Sequence, residues 1–342
     1  MTRTADPTAL QRLGAAIADL VRSDAAEDRT PHVVVRPPHP GAVAQPEPPD
    51  DPGRRVSNGG AETSLDYLPV LVPGSPGDGP TSDRLVRRLL RIEDGSAGPI
   101  RTAESVIGSD DRVRIYDTEN HPWRMVVQLE ISTARTGEVA LGSGFLVGPR
   151  LILTAGHCVH DATTGGWATE IAVRPGRAGA AAPFGVHVSR RFATAGEWFG
   201  DSDIDFDYGV IQLDEPVGDD TGWFGLEVLT APELQGREVN VCGYPGDLMG
   251  GTHLYHSTDR LSGLDDHRVY YRTDTAGGAS GCPAWISRSG PDGPDALTHT
   301  VIAVHTNGTG APSAPALGEA NSGTRLTPRI VEDVRFWNEN GV

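Results

Sequence analysis

The chain has 342 residues, enough for about two folded units at roughly 100–200 residues each. Hydrophobic residues make up 37% and charged residues 22%, the balance of a folded globule. Its 29 basic residues, all Arg, stand against 46 acids for a net charge of −17, which argues against nucleic acid as a partner; no run approaches the roughly 18 apolar residues of a membrane helix, so no membrane is expected either.

Residues 6–23 read as a short amphipathic helix. Asp6 caps it, Pro7 suits its first turn, and Leu10, Leu13, Ile17, Leu20 and Val21 share one face. Its small apolar face fits packing on the protein's own body better than anchoring to a membrane. Residues 30–62 are rich in Pro, Gly, Ala and acids and read as a linker that cannot bury a core. A second helical pattern, 82–93, sets Leu85, Val86, Leu89, Leu90 and Ile92 beside four Arg. That basic face can dock on an acidic body. Residues 105–342 are such a body, with 17 Arg against 31 acids, whereas residues 1–104 hold 12 Arg and 15 acids. Any recognition of an acidic substrate must therefore come from local donors.

The first thirty residues contain only short apolar runs broken by Arg12, Asp19 and Arg22, unlike a secretory leader. Three cysteines, Cys158, Cys242 and Cys282, cannot all pair with one another. Both features favour the cytoplasm.

From residue 106 the texture changes. Short runs of alternating or apolar character recur between turn signals: RMVVQLEI, SGFLVG, RLILTAG, EIAVRPG, YGVIQL, EVNVCGYPG, RVYYRTD and TVIAVHTNG. This pattern predicts an all-β fold, barrel or sandwich. A helix closes the chain. Thr327 and Pro328 begin it, and Ile330, Val331, Val334 and Trp337 face inward.

Three strings carry chemistry. A serine nucleophile needs a base, a carboxylate that orients the base, and donors for the oxyanion. His157 in TAGHC follows directly on the strand RLILT, so its imidazole can swing into a cleft. Asp207 abuts the strand YGVIQL, which fixes its backbone; Asp203 and Asp205 are decoys nearby. Ser280 lies in GGASGCP, where the glycines allow a tight loop whose N–H groups, those of Gly278 and Ser280, meet an oxyanion. A phosphate loop would need a Lys, and the chain has none. His253 and His256 do not read as a metal pair: three residues apart on a strand they face opposite ways, with no acid or Cys cluster beside them. No metal or other cofactor is implied.

Together TAGHC, DYGVIQL and GGASGCP resemble the trypsin-like serine peptidases. VIGSDDR, GYPGD, DTAGGASG, AVHTNG and NSGTRLT resemble their bacterial glutamyl endopeptidase branch, from about residue 105 to 340. The resemblance implies a chymotrypsin-like double β-barrel, about 105–225 and 226–326, with a C-terminal helix. Residues 1–104 then form a partly helical, partly disordered propeptide and a candidate intramolecular inhibitor. It implies a triad of His157, Asp207 and Ser280, and cleavage of protein or peptide substrates after Glu, less readily after Asp. The side chain recognised would meet His305, Thr275 and the free amine of Ser105 or Val106, with His305 supplying a charge-assisted donor near neutral pH. It also implies a zymogen processed between Glu104 and Ser105. Arg101 offers a second processing site. Relatives often pair the cysteine after the histidine with one about 16 residues upstream; here that stretch is Leu141-Gly142-Ser143-Gly144, so Cys158 lacks such a partner. The family is secreted, against the cytoplasmic expectation above. An intracellular regulated protease of other specificity, or a protease-like scaffold without activity, are the alternatives.

Overall fold

A computed structural model of the protein describes residues 32–36, 105–133, 139–290, 293–309 and 320–342. The predicted helices at 6–23 and 82–93, and Glu104, lie outside the described residues.

In chain order the first strands are β1 (His32–Arg36), β2 (Val113–Arg114), β3 (Val126–Thr133), β4 (Val139–Leu146), β5 (Leu151–Thr154), β6 (His160–Asp161), β7 (Gly166–Pro175), β8 (His187–Ser189), β9 (Arg191–Ala195) and β10 (Gly209–Gln212). Then follow β11 (Gly225–Leu226), β12 (Glu238–Gly243), β13 (Tyr255–Leu264), β14 (Arg268–Tyr271), β15 (Pro283–Gly290), β16 (Gly293–Asn307) and β17 (Asn321–Arg325). The first sheet runs β1-β9-β10-β5-β4-β3-β7-β6, with β8 on β7. The Ser189 hydroxyl, at the end of β8, donates to Gln212 O of β10 at 2.6 Å and draws the sheet round into a barrel. The second sheet runs β11-β16-β15-β12-β13-β14-β17, and pairing of β16 with β17 closes it. The fold is therefore the expected double β-barrel.

Two differences from the sequence reading have physical causes. His32–Arg36 falls in the span read as linker, yet it pairs in parallel with β9, because three consecutive valines suit an extended edge strand. Residues 105–114 precede the first barrel in the chain but lie on the second. Arg114 and Val113 pair with Tyr255 and His256, and Ile107 N and Asp111 N donate to the two carboxylate oxygens of Asp274 at 2.7 and 2.8 Å. One buried carboxylate thereby fixes the segment's path.

Period-two patterning explains β3. Val127, Leu129 and Ile131 enter the core, while Gln128 and Glu130 face the other way yet are also buried. Arg174 and Arg177 cover Glu130 with Nη1 contacts of 2.7 and 2.9 Å. Arg177 Nε also donates to Gly179 O, and Gly179 N to Thr252 O, which joins this barrel to a loop of the second.

The C-terminal helix, Pro328–Asn340, starts at Thr327, whose hydroxyl accepts from Ile330 N. Ile330, Val331, Val334 and Trp337 are buried, as their spacing predicts. The same helix buries Asp333, which accepts from Tyr208 Oη at 2.6 Å. Its Arg329 pairs with Glu197 through both carboxylate oxygens and lies over the Phe206 ring. The last helix thus grips the loop 197–208 at three points.

Candidate active site

His157 sits in the helical turn Gly156–Val159 directly after β5, and Asp207 just before β10. Because β5 and β10 pair, with Gly209 opposite Thr154, the two residues are brought together. Asp207 Oδ2 lies 2.8 Å from His157 Nδ1, and Oδ1 accepts from His157 N at 2.9 Å. One carboxylate therefore fixes both the ring and its backbone. Burial alone would lower the His157 pKa, but the Asp207 charge and Cys158 outweigh it and hold the imidazole well above its usual value. Asp203 instead caps the short turn at Ile204–Phe206 by accepting from Asp205 N.

The loop of Ser280 is fastened mainly from the first barrel. Ser143 N donates to Ser280 O at 2.8 Å, and Ser143 Oγ donates to Gly278 O at 2.7 Å while accepting from Tyr244 N. Gly246 N donates to Gly277 O at 2.7 Å. The carbonyl and N–H of one peptide point oppositely, so this bond turns the Gly278 N–H away from the GYPG loop. Gly278 has φ +101°, and a Cβ there would meet Tyr244 O at 2.7 Å. At Gly281 (φ +86°) a Cβ would stand 2.1 Å from Thr154 Oγ1. The string GGASGCP is thus required by backbone geometry as well as by chemistry.

His305 lies on β16, fully buried, with Nδ1 2.7 Å from Tyr271 Oη. Burial, then the positive charges of His157 and Arg268, push its pKa down to about 3. With no substrate bound, His305 is therefore a neutral imidazole near pH 7, which can still donate an N–H to a carboxylate. Whichever partner donates, this bond holds the ring in place. Gly281 N donates to His305 O and His305 N to Cys282 O, so the strand of His305 is tied to the loop of Ser280. Thr275 is 2% exposed and donates its N–H to Ser105 O at 3.2 Å. Val106 is partly exposed and Ser105 half-buried.

Sequence reasoning missed four supporting residues: Ser143, Asn321, Asp274 and Arg268. The Arg268 guanidinium is buried and bridges the barrels, donating to Ile204 O at 2.7 Å, Ser322 Oγ at 2.8 Å and Thr306 Oγ1 at 3.0 Å. His253 lies before β13 and only His256 is on it, so the two do not share a strand, contrary to expectation. His253 bonds Thr252 Oγ1, whereas His256 bonds Asn240 and packs on Trp285 and Trp123. Cys158 is a buried free thiol, 3.6 Å from Ser280 O.

A double β-barrel whose loops carry a histidine–carboxylate pair and a glycine-bounded serine defines the trypsin-like serine peptidases, and the chain belongs to that family. Residues 142–290 match the trypsin-like peptidase domain. The chain is 35% identical over 240 residues to the glutamyl endopeptidase of Bacillus licheniformis, covering 69% of this chain and 70% of that one. It is 33% identical over 263 residues to the extracellular metalloprotease of Bacillus subtilis, covering 76% and 78%. A solved structure of a Glu endopeptidase in complex with MPD superposes with a TM-score of 0.58 at 24% identity, over 69% of this chain and all of that one.

Proposed function

We propose that this serine peptidase cleaves after Glu, less readily after Asp, with His157, Asp207 and Ser280 as its triad. Ser280 Oγ attacks the substrate carbonyl, and His157 Nε2 takes its proton while Asp207 holds the opposite ring nitrogen. The N–H groups of Gly278 and Ser280 receive the oxyanion; each such donor is worth roughly 100- to 1,000-fold in rate. His157 returns the proton to the leaving amine, and water then hydrolyses the acyl-enzyme.

The observation that carries the triad is the two-point grip of Asp207 on His157. The Glu preference is supported by His305, Thr275 and Ser105 belonging to one hydrogen-bonded neighbourhood behind the Ser280 loop, and by the likeness to a relative named glutamyl endopeptidase. Processing after Glu104 would convert the Ser105 amide into an ammonium beside Thr275. The parallel pairing of β1 with β9 supports a role for the preceding region as a docked intramolecular inhibitor.

A serine-reactive fluorophosphonate probe tests the triad: labelling of processed protein, lost in Ser280→Ala, is expected, and no labelling of the parent would overturn it. Cleavage profiling on a peptide library, with processed and unprocessed protein side by side, tests the rest. Cuts spread evenly over uncharged residues would refute the Glu preference.

A further inference from the structure

The segment beginning at Ser105 ends in a socket that the triad does not use. Asn321, on β17 and fully buried, grips both main-chain polar groups of Ser105. Its Oδ1 accepts from Ser105 N at 3.2 Å, and its Nδ2 donates to Ser105 O at 2.7 Å. Nδ2 also donates to Thr273 O at 2.8 Å. Two carbonyl acceptors can be met only by the amide nitrogen, which fixes the orientation of the group. Thr275 N donates to the same Ser105 O, and Thr309 Oγ1 donates to Ser105 Oγ at 2.7 Å.

The chemistry of the acceptor matters. Cleavage before Ser105 turns its amide N–H into an ammonium, and Asn321 Oδ1 can accept from either. A neutral amide oxygen seats that charge without cancelling it. Among the described residues, the buried carboxylate beside Thr273 and Thr275 is Asp274, and it is occupied by Ile107 N and Asp111 N. Register adds a link to the pocket, because Asn321 pairs with Tyr271, whose hydroxyl meets His305.

We propose that Asn321 is the positioning residue that seats the processed amino terminus on a neutral amide in the specificity pocket, and so sets the preference for Glu over Gln. This inference rests on the Glu-specific reading and on processing after Glu104.

The test uses processed enzyme beginning at Ser105 and matched peptides with Glu or Gln before the scissile bond. Wild type is expected to prefer Glu, and to lose that preference as pH rises through the ordinary α-amine range of about 7.7–8.0. Asn321→Asp sets a carboxylate against the ammonium. The Glu-to-Gln ratio of kcat/KM is expected to fall about 10- to 100-fold, the scale of a hydrogen bond to a charged group. The Gln rate and fluorophosphonate labelling should stay near wild type. Asn321→Ala, which cannot clash, should raise KM for Glu with little change in kcat. A wild-type Glu preference that survives both folded variants overturns this inference alone. No Glu preference in wild type overturns the specificity reading and this inference with it. Direct titration of the wild-type Ser105 amine needs neither variant: a value in the ordinary range is expected, and one raised by a carboxylate partner overturns the inference.

Discussion

His157, on the first barrel, and His305, on the second, are both withdrawn from solvent, but their surroundings drive them apart. His157 faces the Asp207 carboxylate, which outweighs burial and holds its proton affinity high. His305 faces a tyrosine hydroxyl, with His157 and Arg268 as the charges that act on it, and is neutral down to about pH 3. Burial penalises both; the sign of the neighbouring charge decides the outcome. A base must be able to hold a proton, whereas a wall that greets a carboxylate can remain neutral if another group brings the positive charge.

Asp207→Asn erases the contrast most completely, since it leaves His157 without its carboxylate. A fall in kcat/KM of about 10⁴-fold is expected, with the lower pH midpoint of activity moving down. In the parent that midpoint is expected above the ordinary histidine value, because the Asp207 charge raises the His157 pKa and a base must lose its proton to act. A pH–rate profile of both proteins checks this, and an unmoved midpoint in the variant would refute the assignment.

Stability should respond oppositely at the two sites. The folded-state pKa of His305 is depressed, so the unfolded chain binds more protons once pH drops below about 6.5. Its contribution is full above that pH and is lost as pH falls towards about 3. His157 contributes below about 6.5 and loses that contribution as pH rises through its elevated value. Melting curves from pH 4 to 7 should be flatter for His305→Gln than for the parent; equal slopes would count against a buried neutral His305.

Tyr271→Phe touches only the second site. Losing the hydroxyl that holds His305 Nδ1 should lower the Glu-to-Gln ratio about tenfold, the value of one hydrogen bond, and leave the Gln rate alone. Equal losses on both peptides would make Tyr271 a general structural residue.

Gly142→Cys should perturb the catalytic rate least. A Cβ at Gly142 would stand 3.1 Å from Cys158 Sγ, close enough for a bridge. Closing this loop should add roughly 3 kcal/mol of stability and change the rate by no more than a small factor. Thiol titration of the denatured variant should find two free cysteines rather than four. Four would mean that the bridge does not form.

Much of this frame was legible in the sequence. TAGHC, DYGVIQL and GGASGCP sit at strand ends, where local pattern and chemistry coincide, and the closing helix showed its cap and buried face. β13, β15 and β17 escaped notice because Ser, Gly and Asn blur their alternation; in NSGTR the burial comes from neighbours, not composition. Asn321 and Ser105 are 216 positions apart, so no window contains their bond. Ser143 and Arg268 act through main-chain carbonyls and hydroxyls, which leave no spacing to read. The neutrality of His305 required knowing which charges surround it.

The grip of Pro328–Asn340 on the 197–208 loop has a consequence for biosynthesis. Tyr208, Phe206 and Glu197 find their partners on Pro328–Asn340, so in vectorial synthesis the corner that carries Asp207 gains these contacts only after that helix has emerged. A nascent chain that has not yet made this helix lacks those three supports for the corner of Asp207.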